Sequence, residues 1–243
     1  MKLFRIGLYC IAVSFLLANI PAIAGAVNRS NLMDEYEEKS VSSTVPDPLY
    51  RYNKIMFHFN DKLYYWGIKP VATGYKKAVP DDVRQCVKIF FTNVLFPVRF
   101  VNSLFQGKVK PAGEELAIFA VNTTVGCLGL GRPAQDEFDL QISKEDFGQT
   151  LGSYSFKQGF YVIWPVLGPS TLRDSIGRAG DYFLNPLNCL EGTEVVYGAK
   201  ILDKVNAASF RIGEYEALKQ GAVDPYTSLK NVYIQHRAEA VGR

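Results

Sequence analysis

The feature that most constrains this chain is the way proline and glycine cut its apolar stretches short. Between Ile89 and Phe105 the only charged residue is Arg99, and Pro97 divides the run. Gly159 to Leu172 carries no charge at all and is interrupted by Pro165 and Pro169. A helix needs about 20 consecutive apolar residues to span a bilayer. A proline inside a helix removes one backbone hydrogen bond and clashes with the preceding turn. Residues 89–105 therefore read as two short apolar helices meeting at an angle, and are too broken for one spanning helix.

The same punctuation organises the rest of the chain. Asp47-Pro48 reads as a helix start, with Asp47 as cap and proline at the first helical position. Leu49, Tyr52, Met56, Phe59, Leu63 and Trp66 then recur at three- and four-residue steps, the signature of an amphipathic helix. A shorter segment runs from Pro70 to Pro80, and Asp81-Asp82 opens the next helix. A helix over Pro111–Val125 ends in Gly126-Cys127-Leu128-Gly129-Leu130-Gly131, which reads as a C-cap and turns. Residues 144–151 suggest a short helix. The β-branched and aromatic content of 159–168 suggests an extended segment or a short β-hairpin. Helices over 170–184, 194–219 and 225–240 close the chain. The expected fold is all-α, as one domain over 47–243.

The first residues are a separate matter. Lys2 and Arg5 precede an uncharged run from Ile6 to Ile20, and Ala22-Ile23-Ala24 offers a cleavage site before Gly25, so 1–24 reads as a signal peptide. Cys10 lies inside the apolar run and forms no lipobox. Residues 25–46 are polar and unpatterned, as in a flexible tether. Without Lys2 and Arg5 the basic count falls from 27 to 25 against 24 acidic groups. That balance argues against nucleic acid as a partner. Cys86, Cys127 and Cys189 remain, either as one disulfide with one free thiol or as three thiols.

Enzyme chemistry finds little support. A serine or cysteine nucleophile normally needs a histidine base, and the sequence holds only His58 and His236. His58 lies in the first amphipathic helix, and neither histidine sits in a hydrolase or metal-binding pattern. No enzyme, metal or cofactor is expected. What stands out instead is apolar surface beyond the need of a small domain, although one ordinary core could absorb all of it.

From Asp47 to about Leu187 the sequence resembles the VacJ/MlaA family of outer-membrane phospholipid-trafficking lipoproteins. The resemblance rests on Asp47-Pro48-Leu49, Tyr52-Asn53, Phe59-Asn60 and Lys69-Pro70-Val71-Ala72. It continues through Phe91-Thr92-Asn93, Leu104-Phe105-Gln106-Gly107 and Phe119-Ala120-Val121-Asn122-Thr123-Thr124. It ends with Glu145-Asp146-Phe147-Gly148-Gln149-Thr150-Leu151-Gly152 and Leu167-Gly168-Pro169-Ser170-Thr171-Leu172-Arg173-Asp174.

The resemblance implies a compact ring of short amphipathic helices in the inner leaflet of the outer membrane, with a central amphipathic channel. Phospholipids misplaced in the outer leaflet would pass through it to a periplasmic carrier that serves an ABC transporter. A trimeric porin would be the outer-membrane partner. Lipid-path candidates are Asn53, Phe59, Asn60, Gly148, Gly152, Tyr161, Leu172, Arg173 and Asp174. Membrane-facing candidates are Phe90, Phe91, Leu95 and Phe96 in the first charge-free run, and Phe160, Val162, Ile163 and Trp164 in the second. Arg173 either meets a phosphate or pairs with a carboxylate such as Asp174, and Gly148 and Gly152 either line the path or permit close helix contact. Most family members carry a lipobox, which this chain lacks. A soluble periplasmic lipid shuttle and a structural surface protein are the alternatives.

Overall fold

The computed structural model describes residues 45–190 and 192–242; the signal-peptide and most of the tether reading fall outside them. The fold is mostly helical with one small hairpin, in agreement with the expectation.

Helix α1 spans Tyr50–Leu63 and runs, through a widened π turn at Tyr64–Ile68, directly into α2, Lys69–Ala78. The break expected before Pro70 is therefore not there. Pro70 has no N–H to give, and its ring would strike the carbonyl four residues back in a regular helix. The π turn shifts the bonding, with Lys69 N–H reaching Tyr64 O, and lets the helix continue through the proline. Asp47 is not the cap of α1 either: the helix starts at Tyr50 with no side-chain cap, and the Asp47 carboxylate accepts from Asn53 Nδ2 at 2.8 Å.

Helix α3 (Asp81–Val94) and helix α4 (Phe96–Phe105) meet at 42°, with Pro97 in the first turn of α4. Among the described residues no single helix is long and apolar enough to cross a membrane; only this bent pair reaches that length and composition together. Helix α5 (Val109–Thr124) packs along α4, where Phe96 stacks on Phe119 with ring centroids 4.5 Å apart. Its C-terminus is closed by Leu128 N–H to Thr123 O and Gly129 N–H to Asn122 O. A single helical turn, α6 (Pro133–Asp136), follows.

Helix α7 (Phe147–Ser153) is capped by the Asp146 carboxylate, which accepts from Gln149 N–H. Strands β1 (Tyr161–Trp164) and β2 (Gly168–Thr171) form an antiparallel hairpin with Tyr161 opposite Thr171. Helix α8 (Leu172–Leu184) starts directly from β2, capped by Thr171. Helix α9 (Thr193–Phe210) packs on α2 and α3. Expected to run to Lys219, it instead stops at Arg211. Gly213, at φ 101°, turns the chain into α10 (Glu214–Gly221). Helix α11 (Pro225–Gly242) crosses α7 and β2.

Alternation along β1 sorts its side chains to two faces. Tyr161 and Ile163 point into the main core with Phe57, Tyr226 and Ile234. Phe160, Val162 and Trp164 point the other way.

Candidate functional site

Two arrangements around the hairpin hold most of the residues singled out from the sequence. The first is a knot of charges where α7, α8 and α11 meet. Arg237, on α11, donates from Nη1 and Nη2 to the two Asp146 oxygens at 2.6 and 2.9 Å. From Nε and Nη2 it donates to the two Asp174 oxygens at 3.0 and 2.8 Å. Tyr233 adds a 2.7 Å bond to Asp174, and Arg173 reaches the same carboxylate at 3.2 Å. One guanidinium thus binds the acids at the starts of two helices, where negative charge is already favoured by the helix dipole.

The electrostatics follow from that geometry. Burial, the largest single influence, pushes Asp146 and Asp174 upward, but the hydrogen bonds and charge of Arg237, joined by Gln149 at Asp146 and by Tyr233 and Arg173 at Asp174, together outweigh it, so both carboxyls sit below their ordinary range. Among the described residues no cation pairs with Asp181. It accepts from Asn102 Nδ2 at 2.8 Å and from Phe147 N–H at 3.1 Å, and burial lifts its pKa to about 6.

The crossing of α7 and α8 depends on glycine. A Cβ on Gly177 would lie 2.4 Å from Gly148 N, and one on Gly148 would lie 2.7 Å from both Arg237 Nη2 and Asp174 Oδ1. A Cβ on Gly152 would meet Val241 and Arg173. Gly148, Gly152, Arg173 and Asp174 are therefore brought together in a packed ionic joint. A cavity of about 260 Å³ opens onto the joint, lined by Asp146, Asp174 and Arg237 together with Arg178, Asp181, Tyr233 and His236. None of its lining residues is a serine, threonine or cysteine, so His236 has no nucleophile to activate there.

The second arrangement is an apolar cleft of about 480 Å³ on the outward face of the hairpin. Phe160, Val162 and Trp164 form one wall. Leu49 and Tyr52, from the start of α1, and Leu172, from the start of α8, form the others, with Ser175 as the polar exception. Trp164 is oriented by its indole N–H, which donates to Ser175 Oγ at 2.9 Å. The cleft continues onto an exposed apolar stripe of α1 that includes Ile55, Phe59 and, in the π turn, the 81% exposed Trp66.

Asn53 and Asn60 join α1 to the hairpin. Asn53 donates to Tyr161 O and accepts from Ile163 N–H, at 3.0 and 2.7 Å. Asn60 does the same for Trp164 O and Val166 N–H, at 2.9 and 2.7 Å. Tyr161 is fully buried, and Phe59 is exposed. Of the residues assigned to a membrane face, Phe160 and Trp164 border the cleft, and Phe90, Leu95 and Phe96 are at least partly accessible. Phe91 and Ile163 are buried inside the protein. Val162 is also nearly buried, and what little of it shows is cleft wall. In these short helices and strands an uncharged run supplies both an inner and an outer face.

Sequence reasoning passed over Arg237, Leu49 and Tyr52 as functional candidates. Arg237 lies on a helix with an ordinary charged pattern, and no local signal marks its two partners, 63 and 91 residues away. Leu49 and Tyr52 were legible as apolar, but which face they would present was not. Cys86, Cys127 and Cys189 are free thiols.

The fold is thus one of short helices around a clamped hairpin, with buried charges used for joints and an open apolar cleft. The chain belongs to the MlaA lipoprotein family, whose model matches residues 45–240. It is 28% identical over 223 residues to the intermembrane phospholipid transport system lipoprotein MlaA of Haemophilus influenzae, covering 89% of this chain and 87% of that protein. The Escherichia coli protein of the same name is 29% identical over 196 residues, covering 78% of this chain and 76% of its own. A solved chain described under "structural basis for maintenance of bacterial outer membrane lipid asymmetry" superposes with a TM-score of 0.72 at 27% identity. It covers 81% of this chain and 99% of its own.

Proposed function

We propose that this protein moves phospholipid at the outer membrane, taking misplaced lipid from the outer leaflet and passing it towards the periplasm without making or breaking a bond. The observation that carries this is the hairpin cleft. At about 480 Å³ it falls within the roughly 300–1,000 Å³ of small-ligand sites. Its lining is apolar, and it is continuous with an exposed apolar stripe. Exposing an acyl chain to water costs about 0.8 kcal/mol per CH₂, so an open apolar cleft lowers the barrier for chains leaving the bilayer. The Haemophilus influenzae and Escherichia coli relatives are named for phospholipid transport, which supports the same substrate.

In this reading the protein works from the periplasmic side of the outer membrane as a ring of helices around an amphipathic channel. A trimeric porin holds it there, and a soluble carrier of an ABC-transporter system receives the lipid. Co-purification with crosslinked porin checks the first partner, and lipid transfer to added carrier checks the second.

The test is phosphorus and mass analysis of lipid extracted from protein purified in mild detergent. About one phospholipid per chain is expected, with severalfold less in Leu49→Glu and Leu172→Glu, both of which alter exposed cleft walls. Val232→Glu, on an exposed site of α11 outside the cleft lining, should retain the lipid. A folded protein that carries no lipid sinks the reading.

A further inference from the structure

The hairpin cleft is apolar except for Ser175, so by itself it holds an acyl chain and offers nothing to a charged headgroup. Arg173, next to the cleft residue Leu172, is buried against Asp174 and has no open face. Arg178, one turn of α8 beyond Ser175, is placed differently.

Ser175 and Arg178 both hold the outer edge of β2. Ser175 Oγ donates to Thr171 O at 2.8 Å, and Arg178 Nη2 donates to Pro169 O at 3.0 Å. Carbonyls two residues apart on one strand edge are separated by about 7 Å. The Arg178 guanidinium is therefore fixed a short step along the strand from Ser175. Ser175 in turn accepts the indole N–H of Trp164, in the cleft wall. A glycerol backbone bridges that step.

The guanidinium is also available. Its side chain is exposed, and the bond to Pro169 O uses one of five N–H donors. The carboxylates of the 260 Å³ cavity that Arg178 also lines are engaged elsewhere. Asp146 and Asp174 are taken by Arg237 and Arg173, two acids against two arginines. Asp181 accepts from Asn102 Nδ2 and Phe147 N–H. Among the described residues no carboxylate forms an ion pair with Arg178. A planar guanidinium with free donors matches two phosphate oxygens at once.

We propose that Arg178 binds the phosphate of a glycerophospholipid whose chain lies in the hairpin cleft, with the glycerol crossing the rim at Ser175. Arg178 is then the residue that selects for a phosphate-bearing lipid, since a diacylglycerol gives it nothing to bind. The inference deepens the phospholipid reading and rests on it.

The experiment is isothermal titration of the detergent-purified full chain with three probes. Dihexanoyl phosphatidylglycerol is the phospholipid, dihexanoylglycerol has the same chains without phosphate, and inorganic phosphate has no chains. The phospholipid is expected to bind about tenfold more tightly than dihexanoylglycerol, the gain from one charge-assisted pair, and inorganic phosphate far more weakly than either. Arg178→Gln, whose amide can still donate to Pro169 O, should lose about tenfold in phospholipid affinity and leave dihexanoylglycerol binding unchanged. Arg178→Lys, which keeps the charge without the fork, should lose about threefold. It carries the comparison if circular dichroism shows that Arg178→Gln does not fold. Leu172→Glu, in the cleft wall, should weaken both lipids.

Unchanged phospholipid affinity in the folded variant overturns the proposal. So does a parallel loss of both lipids, which would make Arg178 only a brace for β2, and so does inorganic phosphate that binds as tightly as the phospholipid, the mark of a free-anion site. A natural protein that binds neither lipid sinks the cleft reading as well. Dihexanoylglycerol binding that Leu172→Glu abolishes keeps the cleft reading whatever the outcome at Arg178.

Discussion

Asn53 and Asn60 stand two helical turns apart on α1, and each carboxamide closes a donor–acceptor pair on the backbone of the hairpin. Their spacing fits the strand. Seven helical steps rise about 10.5 Å, and the three strand steps from Tyr161 to Trp164 span about 10 Å. The helix thereby takes the place of a third strand along an edge that would otherwise be open to pairing with another chain.

Removing either amide should loosen the hairpin, unequally. Asn53→Ala leaves the Tyr161 carbonyl and Ile163 N–H unpaired in the core, at a cost of about 2–5 kcal/mol. Asn60 is only half-buried, and Asn60→Ala should cost about 1 kcal/mol, since water replaces it. Urea unfolding of the two variants checks the order; equal effects would mean that the clamp is not what holds the hairpin.

Arg237→Met should be more damaging, by about 3–5 kcal/mol, because it strands the buried Asp174 carboxylate and leaves the part-buried Asp146 unpaired as well. Adding Asp146→Asn and Asp174→Asn to Arg237→Met should recover part of the loss. Thermal melts of the single and triple variants measure the coupling, and simple additivity would argue against a shared joint.

Asp181 gives the joint a pH dependence of unusual sign. Its pKa is raised in the folded protein to about 6 from an ordinary 3.8. Folding therefore favours its protonated form, and that contribution is present at low pH and lost as pH rises from about 4 to 6. Asp181→Asn, a stand-in for the protonated acid, should be more stable than the natural protein at pH 7.5 by about 1–2 kcal/mol, discounted for solvent screening. The gap should narrow as pH falls through about 6 and close only below about 3.8. Asp146 and Asp174 act oppositely: their lowered values stabilise the fold above the ordinary carboxyl range, and that is lost on acidification through their folded pKa values.

Two glycine substitutions should differ in direction. Gly177→Ala forces a methyl into the backbone of Gly148 and should separate α7 from α8, destabilising the protein by several kcal/mol. Gly198→Ala, on α9 with nothing within 4 Å of the new methyl, should stabilise by about 0.5–1 kcal/mol. Melting temperatures read both.

Local chemistry was readable where it is local. The bend at Pro97, the turns closing α5 at Gly126–Gly131 and the hairpin near 159–168 follow from proline geometry, glycine freedom and strand-forming residues a few positions apart. Pro70 was misread because a π turn can absorb a proline, and nothing within three residues announces it. The break at Gly213 was missed because a single glycine inside a charged helical pattern is usually tolerated.

Segment lengths, the helical class and the apolar excess were fixed by residues within one or two turns of each other, since propensity and periodicity act over that range. The partners of Arg237, the seat of Asn53 on β1 and the sorting of Phe160, Val162 and Trp164 from Tyr161 and Ile163 were decided only by tertiary structure. Hydrogen bonds and ion pairs depend on distances of about 3 Å, and between groups 63 to 110 residues apart only the folded chain sets such distances.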